Sequence, residues 1–129
     1  MTSQVNTDLS NQQKRVLFDK ATEAPHSGAL LTETRDGMYR CANCDAVLFR
    51  SSDKYESTTP GLVGWPSFAE AANNDALFLI PDTSLGMERT EATCANCGGH
   101  LGHLFTGVDD HPSGNHYCIN SCSLNFQPN

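Results

Sequence analysis

From Gly37 onward the apolar residues come in short bursts, and Gly, Pro, Asp and Ser clusters separate them at close intervals. "GMYRC" and "AVLF" are brief and apolar-rich, "DALFLIPD" reads as a fuller strand ended by its proline, and "HLGHLF" and "HYCINSCSLNF" follow as further strands. "GMERTEATC" alternates in part, which places Met87, Arg89 and Glu91 on one side. Many short strands between turn signals are the pattern of an all-β domain. "SFAEAANN", after Trp65-Pro66, is the one stretch here that reads as a helical turn or two.

The start of the chain reads differently. Residues 1–10 are polar and expected to be a flexible end, with a single domain over residues 11–129. "SNQQKRVLFDKATEAP" carries a short helix: Ser10 is placed to cap it, Val16, Leu17 and Phe18 form an apolar patch, and Pro25 ends the helical tendency. "PHSGALL" is then a loop leading into the domain.

Composition adds a constraint on stability. Only 38% of the 129 residues are hydrophobic, with ten glycines and six prolines, so a turn-rich β domain of this size needs help beyond its core. The formal net charge is −7 and no run of Lys or Arg occurs, which argues against a nucleic-acid or anionic-membrane surface. The first thirty or so residues hold no signal-like apolar run, and no segment approaches the ~20 residues of a membrane span. The expected location is the cytoplasm, where thiols stay reduced and paired cysteines more often mean metal or catalysis than disulfides.

Four of the six cysteines fall into two copies of "CANC", Cys41 with Cys44 and Cys94 with Cys97. Two residues between cysteines let a tight knuckle aim both sulfurs at one point, and two knuckles complete a tetrahedral S₄ shell suited to Zn²⁺. The long gap means that the metal would clamp distant parts of the domain. A redox dithiol and unrelated buried cysteines are the competing readings, which a single such unit would leave open. A closed S₄ shell keeps no position for substrate, so the expected zinc is structural, one per chain.

The remaining polar chemistry gathers late in the chain. His100 and His103 lie in "GGHLGHLF"; His116, Cys118 and Asn120 lie in "HYCINS". On a strand with period two, His116, Cys118, Asn120 and Cys122 share one face, and Tyr117 and Ile119 take the other, suited to a core. A thiol between a histidine and an amide has partners that favour the thiolate. The blander readings are a small buried cysteine and histidines that support or join the neighbouring metal knuckle. Four strand residues span ~13 Å, beyond the ~7 Å that a disulfide tolerates between Cα atoms. Cys118 and Cys122 therefore cannot close a disulfide inside one regular strand.

"GMYRCANCDAVLFRSSDKYES", "GWPSF", "DTSLGMERTEATCANCGGHLGHLF" and "HYCINSCSLNF" together resemble the B-type methionine sulfoxide reductases, in order, from about Gln13 to Pro128. The resemblance implies a mainly β domain of two antiparallel sheets, a β-sandwich or tent-like arrangement with short N-terminal helices, in the zinc-containing branch of the family. It implies thiol-dependent reduction of methionine R-sulfoxide, free or in proteins, by a monomeric repair enzyme using thioredoxin or a similar dithiol. It assigns Cys118 as nucleophile, with His100, His103 and Asn120 around the sulfoxide oxygen. Trp65 stands against the methyl group, with Phe105 and His116 also at the substrate. Without the resemblance, Trp65 reads as a core tryptophan before a proline turn. The rival function is a non-catalytic zinc-clamped β binding module; a thiol sensor built on Cys118 and Cys122 is a weaker third.

Two departures from the family pattern stand out. A resolving cysteine often precedes the Gly-Trp of "GWPSF"; here Val63 occupies that place, so either an outside dithiol attacks the Cys118 sulfenic acid directly or Cys122 resolves it, and the strand geometry favours the former. His116 replaces the usual arginine, and Gly107 stands where its acidic partner is expected, with Asp109 and Asp110 close by. A histidine there is expected to make the rate change between about pH 6 and 8.

Overall fold

The structure is a computed structural model of the chain and describes residues 8–83, 86 and 89–129. Most of the expected flexible end, residues 1–7, and the expected side of Met87 lie outside the described residues.

Helix α1 runs Asn11–Asp19. Ser10 accepts the Gln13 amide at 3.1 Å and the Gln13 side chain accepts the Ser10 amide at 2.9 Å, so two orphan donors of the first turn are satisfied reciprocally. Val16 and Leu17 are buried, whereas Phe18 is 41% exposed. The helix stops well before Pro25. Lys20 turns left-handed at φ 60° and the Ala21 amide closes on the Arg15 carbonyl, a local cap that acts before the proline can.

Two antiparallel sheets follow. β1 (Gly37–Cys41) lies between β2 (Val47–Arg50) and β9 (Leu124–Pro128) in the smaller one. The larger has the order β3 (Lys54–Tyr55), β4 (Ser67–Phe68), β8 (Asn115–Ile119), β7 (His100–Thr106), β6 (Arg89–Cys94), β5 (Leu77–Asp82). The sheets meet through aromatic rings. Phe49 of β2 stacks on Phe68 of β4 at 4.3 Å, and Tyr39 of β1 meets the same ring edge-on at 5.0 Å. All three are fully buried. Such ring pairs add to what burial alone contributes.

Three sequence expectations change. "SFAEAANN" is not helical: Ser67–Phe68 pairs with both β3 and β8, and the fully buried Phe68 is committed to the core. Pro81 does not end its strand, because β5 is the sheet edge and needs no donor on its open side. "HYCINSCSLNF" is two strands in different sheets, joined by a 3-10 turn at Ser121–Ser123. Cys122 therefore leaves the strand that carries Cys118.

β7 and β8 approach closely at Gly102, opposite Ile119. A Cβ there would fall on the Cys118 carbonyl oxygen, with the Ile119 Cα at 3.0 Å. Gly102→Ala is expected to lose about 1–3 kcal/mol by overpacking and to displace Cys118. Urea unfolding and the amide shifts of residues 117–120 measure both; an unchanged midpoint and spectrum would show that the ladder has slack.

Candidate active site

The two "CANC" segments fold alike. In each, the first cysteine amide donates to the carbonyl five residues on (Cys41 to Ala46, 2.8 Å; Cys94 to Gly99, 2.9 Å), and its carbonyl accepts the amide four residues on, from Asp45 at 2.9 Å and from Gly98 at 2.7 Å. Asp45 and Gly98 make the return in the left-handed region, at φ 69° and 79°, which glycine and aspartate tolerate best. The four sulfurs lie within 4.8 Å of one another. Cys41 to Cys97 is 3.7 Å and Cys44 to Cys94 is 3.5 Å; a tetrahedron with bonds of ~2.3 Å sets sulfurs about 3.8 Å apart. The donor set thus fits a thiophilic ion of tetrahedral habit. Packed this tightly, Cys97 is held far below the usual thiol range by hydrogen bonds from Cys41 and then Cys94, and Cys41 is pushed far above it, chiefly by its sulfur neighbours. Neither histidine of "GGHLGHLF" belongs to this cluster.

Cys118, His103, Phe105, Asn120, Trp65, Arg89 and Gly102 line one cavity of about 130 Å³. The ladder explains part of this. His103 of β7 is the direct cross-strand partner of Cys118 of β8. Trp65 is brought in by the chain just before β4, and its indole N–H donates to the Glu23 carbonyl at 3.0 Å. Asn120 donates to the Leu101 carbonyl at 3.0 Å and accepts the Glu23 amide at 3.0 Å. Ile119 is buried and Tyr117 packs against the core from the opposite face of β8.

The histidines differ in setting. His103 Nε2 meets Asp82 Oδ2 at 2.8 Å, and Arg89 reaches the same oxygen at 3.3 Å. His100 is buried beside the cavity rather than lining it; its Nδ1 meets Glu91 Oε2 at 2.8 Å, and Lys20 reaches the other oxygen of Glu91 at 3.2 Å. The two imidazole rings sit edge to face at 5.5 Å.

His116 is fully buried and does not line the cavity. Its Nε2 bonds Ser67 Oγ at 2.9 Å, and Nδ1 faces Asp110 at 3.7 Å. The Asp110 carboxylate, 1% exposed, also accepts from Ser57, Thr58, Thr59 and Tyr55. Burial opposes its ionisation, but hydrogen bonds from Thr59 and Ser57 more than reverse this and hold it far below the carboxylate range. So an acidic partner survives at Asp110, although Gly107 occupies the expected place. Burial pushes the His116 imidazole down, with Asp110 pulling the other way. The titration expected near neutrality therefore moves to lower pH.

Cys118 and Cys122 face different cavities. Cys122 lines one with Ser10, Gln13, Glu23 and Ser121. Burial, with the Glu23 carboxylate adding to it, pushes each thiol up to about 12. Glu23, Ser67, Asp82, Arg89 and Glu91 were not expected at the site; Arg89 and Glu91 were read only as one side of an alternating strand, and each of the five comes from a segment remote from "HYCINS".

Two predictions follow from these charges. Alkylation of Cys118 by iodoacetamide in the substrate-free protein is expected to be still rising at about pH 9, where an ordinary thiol is already mostly thiolate; a plateau near neutrality would contradict the burial. For His116, the groups facing it are Asp110, Tyr55, Ser67 and the Phe105 ring. Its folded pKa lies below the unfolded one, so the unfolded chain takes up a proton that the fold refuses, and stability falls as pH drops from about 7 to 5. His100 acts with the same sign, since burial pushes it down too. His116→Asn should make the slope of melting temperature against pH shallower without abolishing it; an unchanged slope would remove His116 from the linkage.

Comparison with known proteins agrees with this geometry. The SelR domain matches residues 9–128. A protein of Leifsonia xyli named peptide methionine sulfoxide reductase MsrB is 50% identical over 121 residues, 94% of this chain and 84% of its own length. Proteins of the same name from Leptospira interrogans and Thiobacillus denitrificans are 48% and 46% identical, over 93% and 98% of this chain and 88% and 92% of their own lengths. The binding-module reading finds no support among these relatives. The two cysteine knuckles, the cavity around Cys118 and the match over nearly the whole chain lead to one conclusion: the chain belongs to the SelR-domain family of methionine sulfoxide reductases.

Proposed function

We propose that the chain reduces methionine R-sulfoxide, free or in proteins, to methionine, with Cys118 as the group that takes the oxygen. The observation that carries this reading is one small cavity in which a thiol, an imidazole directly across the ladder, an amide and an indole converge. Sulfoxide sulfur is a poor electrophile until its oxygen is protonated or strongly hydrogen-bonded. The Cys118 sulfur attacks as its proton passes to the sulfoxide oxygen, with His103 as carrier. Asp82 holds the His103 ring by Nε2, which leaves Nδ1 for that oxygen. The oxygen then moves to the Cys118 sulfur as the methionine S–O bond and the new bond between the two sulfurs break, the S–S electron pair stays on methionine sulfur, and the products are methionine and a Cys118 sulfenic acid. Asn120 adds a polar contact near the oxygen. Trp65 and Phe105 give apolar walls for the S-methyl group. His116 acts from outside the cavity, through Ser67, the cross-strand partner of Cys118.

The sulfenic acid returns to thiol when a dithiol forms a mixed disulfide with Cys118, releasing water, and then closes its own disulfide. Cys122 opens into a different cavity, and Val63 stands where the family often keeps a resolving cysteine. Both favour direct reduction by an outside dithiol, which we take to be thioredoxin or a similar protein, acting in the reducing cytoplasm on a monomeric enzyme. Cys41, Cys44, Cys94 and Cys97 would hold one Zn²⁺, whose role is structural. No helix among the described residues is long and apolar enough to cross a membrane.

Reduced, metal-loaded protein mixed with excess methionine R-sulfoxide and no other reductant is expected to release one methionine per chain. It should lose the Cys118 thiol and keep that of Cys122; added thioredoxin should then make the reaction catalytic. Loss of both thiols would make Cys122 the resolving residue. No methionine would overturn the reductase reading. Cys94→Ser is expected to lose the bound zinc and most of the cooperative unfolding transition, and a zinc content equal to wild type would contradict the four-sulfur site.

A further inference from the structure

Glu23 lies in the loop between α1 and β1, beside the cavity-lining Thr22, and its atoms reach both the tryptophan segment and the turn after β8, each far away in sequence. Its side chain is 4% exposed. One carboxylate oxygen accepts the Ser121 amide at 2.9 Å and the other accepts the Cys122 amide at 3.0 Å. These two amides open the 3-10 turn that follows Asn120. The main chain of the same residue accepts the Trp65 indole N–H and donates to the Asn120 amide oxygen, each at 3.0 Å. The His26 amide, on the Gly64 carbonyl at 2.8 Å, ties the loop to the tryptophan segment a second time.

We propose that Glu23 is a positioning residue of the reductase site: its buried carboxylate grips the turn after Asn120, and this grip fixes the Glu23 main chain, which orients both the Trp65 indole and the Asn120 amide. The proposal rests on the reading of Trp65 and Asn120 as substrate-facing groups. A buried carboxylate that accepts two backbone amides makes strong, directional bonds and fixes both segments. Glycine supplies the close approach that this needs. A Cβ on Gly28 would collide with Ser121 Oγ and stand 2.7 Å from Glu23 Oε2. The clamp is thus packed closely on its Gly28 side.

The chain has a single tryptophan, Trp65, so tryptophan emission reports the surroundings of this one indole. Glu23→Ala is expected to shift the emission of the folded protein and to speed hydrogen exchange of the indole N–H. In single turnover with methionine R-sulfoxide it should both weaken binding and slow methionine formation, by about tenfold or more together. Glu23→Gln, which keeps an acceptor for one amide but offers a donor to the other, should fall between. Gly28→Ala, which crowds the carboxylate without removing it, should reproduce the emission shift. Removing the charge should also lower the pH at which Cys118 alkylates, because Glu23 helps to keep that thiol protonated; a purely structural role would lower the melting temperature without moving this profile. If Glu23→Ala does not fold, Glu23→Gln decides. Wild-type emission, indole exchange and single-turnover constants in folded Glu23→Gln would overturn the proposal. A wild-type protein that forms no methionine would instead overturn the reductase reading, and indole exchange and emission would still test the clamp.

Discussion

Four cysteine sulfurs join the ends of strands that belong to different sheets. Cys41 ends β1 of the smaller sheet and Cys94 ends β6 of the larger, with Cys44 and Cys97 completing the knuckles. The apolar core that lies between the sheets is real but modest in a chain with 38% hydrophobic residues. A structural Zn²⁺ in a small peptide contributes ~10–16 kcal/mol, as large as the whole stability of most domains. Fixing both strand ends also fixes the relative position of the sheets, and the Phe49–Phe68 stack then has one geometry to fill. The constraint is set at the edge of the fold and used at its centre.

The site depends on that frame because almost none of it is local. β7 and β8 put His103 opposite Cys118, and the next residues leave the large sheet through a 3-10 turn to join the small one as β9. The chain segment that carries the reactive thiol therefore bridges the two sheets. Asp82 supports His103, Glu91 supports His100, and Asp110 faces His116. Each histidine near the cavity has its own carboxylate. Cys118 does not: it is kept a thiol by burial and by the nearby charge of Glu23. A resting thiol resists adventitious oxidation, and in the proposed reaction its proton is the one that the sulfoxide oxygen needs.

Much of this was legible in the sequence, for identifiable reasons. The two "CANC" units announce their geometry by spacing alone, and the period-two pattern of residues 116–120 separates the Tyr117–Ile119 face from the Cys118 face. The capping box at Ser10 and Gln13 is equally local. What escaped is what depends on long-range pairing. Two-residue strands such as Lys54–Tyr55 and Ser67–Phe68 have no periodicity to read, and "SFAEAANN" carries helix-favouring alanines that tertiary pairing overrides. The turn at Ser121–Ser123 is invisible in a run that looks uniformly β, so Cys122 was expected on the Cys118 face. Asp110 was noted only as a neighbour of Gly107. Its partnership with His116 depends on how the loop after β7 folds back over residues 55–59. Glu23 has no local signal at all.

The central claim is that the oxygen of a methionine R-sulfoxide passes to Cys118 and to no other sulfur of the chain. Trapping with dimedone during turnover, followed by peptide mass spectrometry, tests it most directly. The account requires an adduct on Cys118 after the R epimer, none after the S epimer, and unmodified Cys122 and knuckle cysteines in both. Methionine formed from the R epimer with the adduct on Cys122, or on a knuckle cysteine, would contradict it.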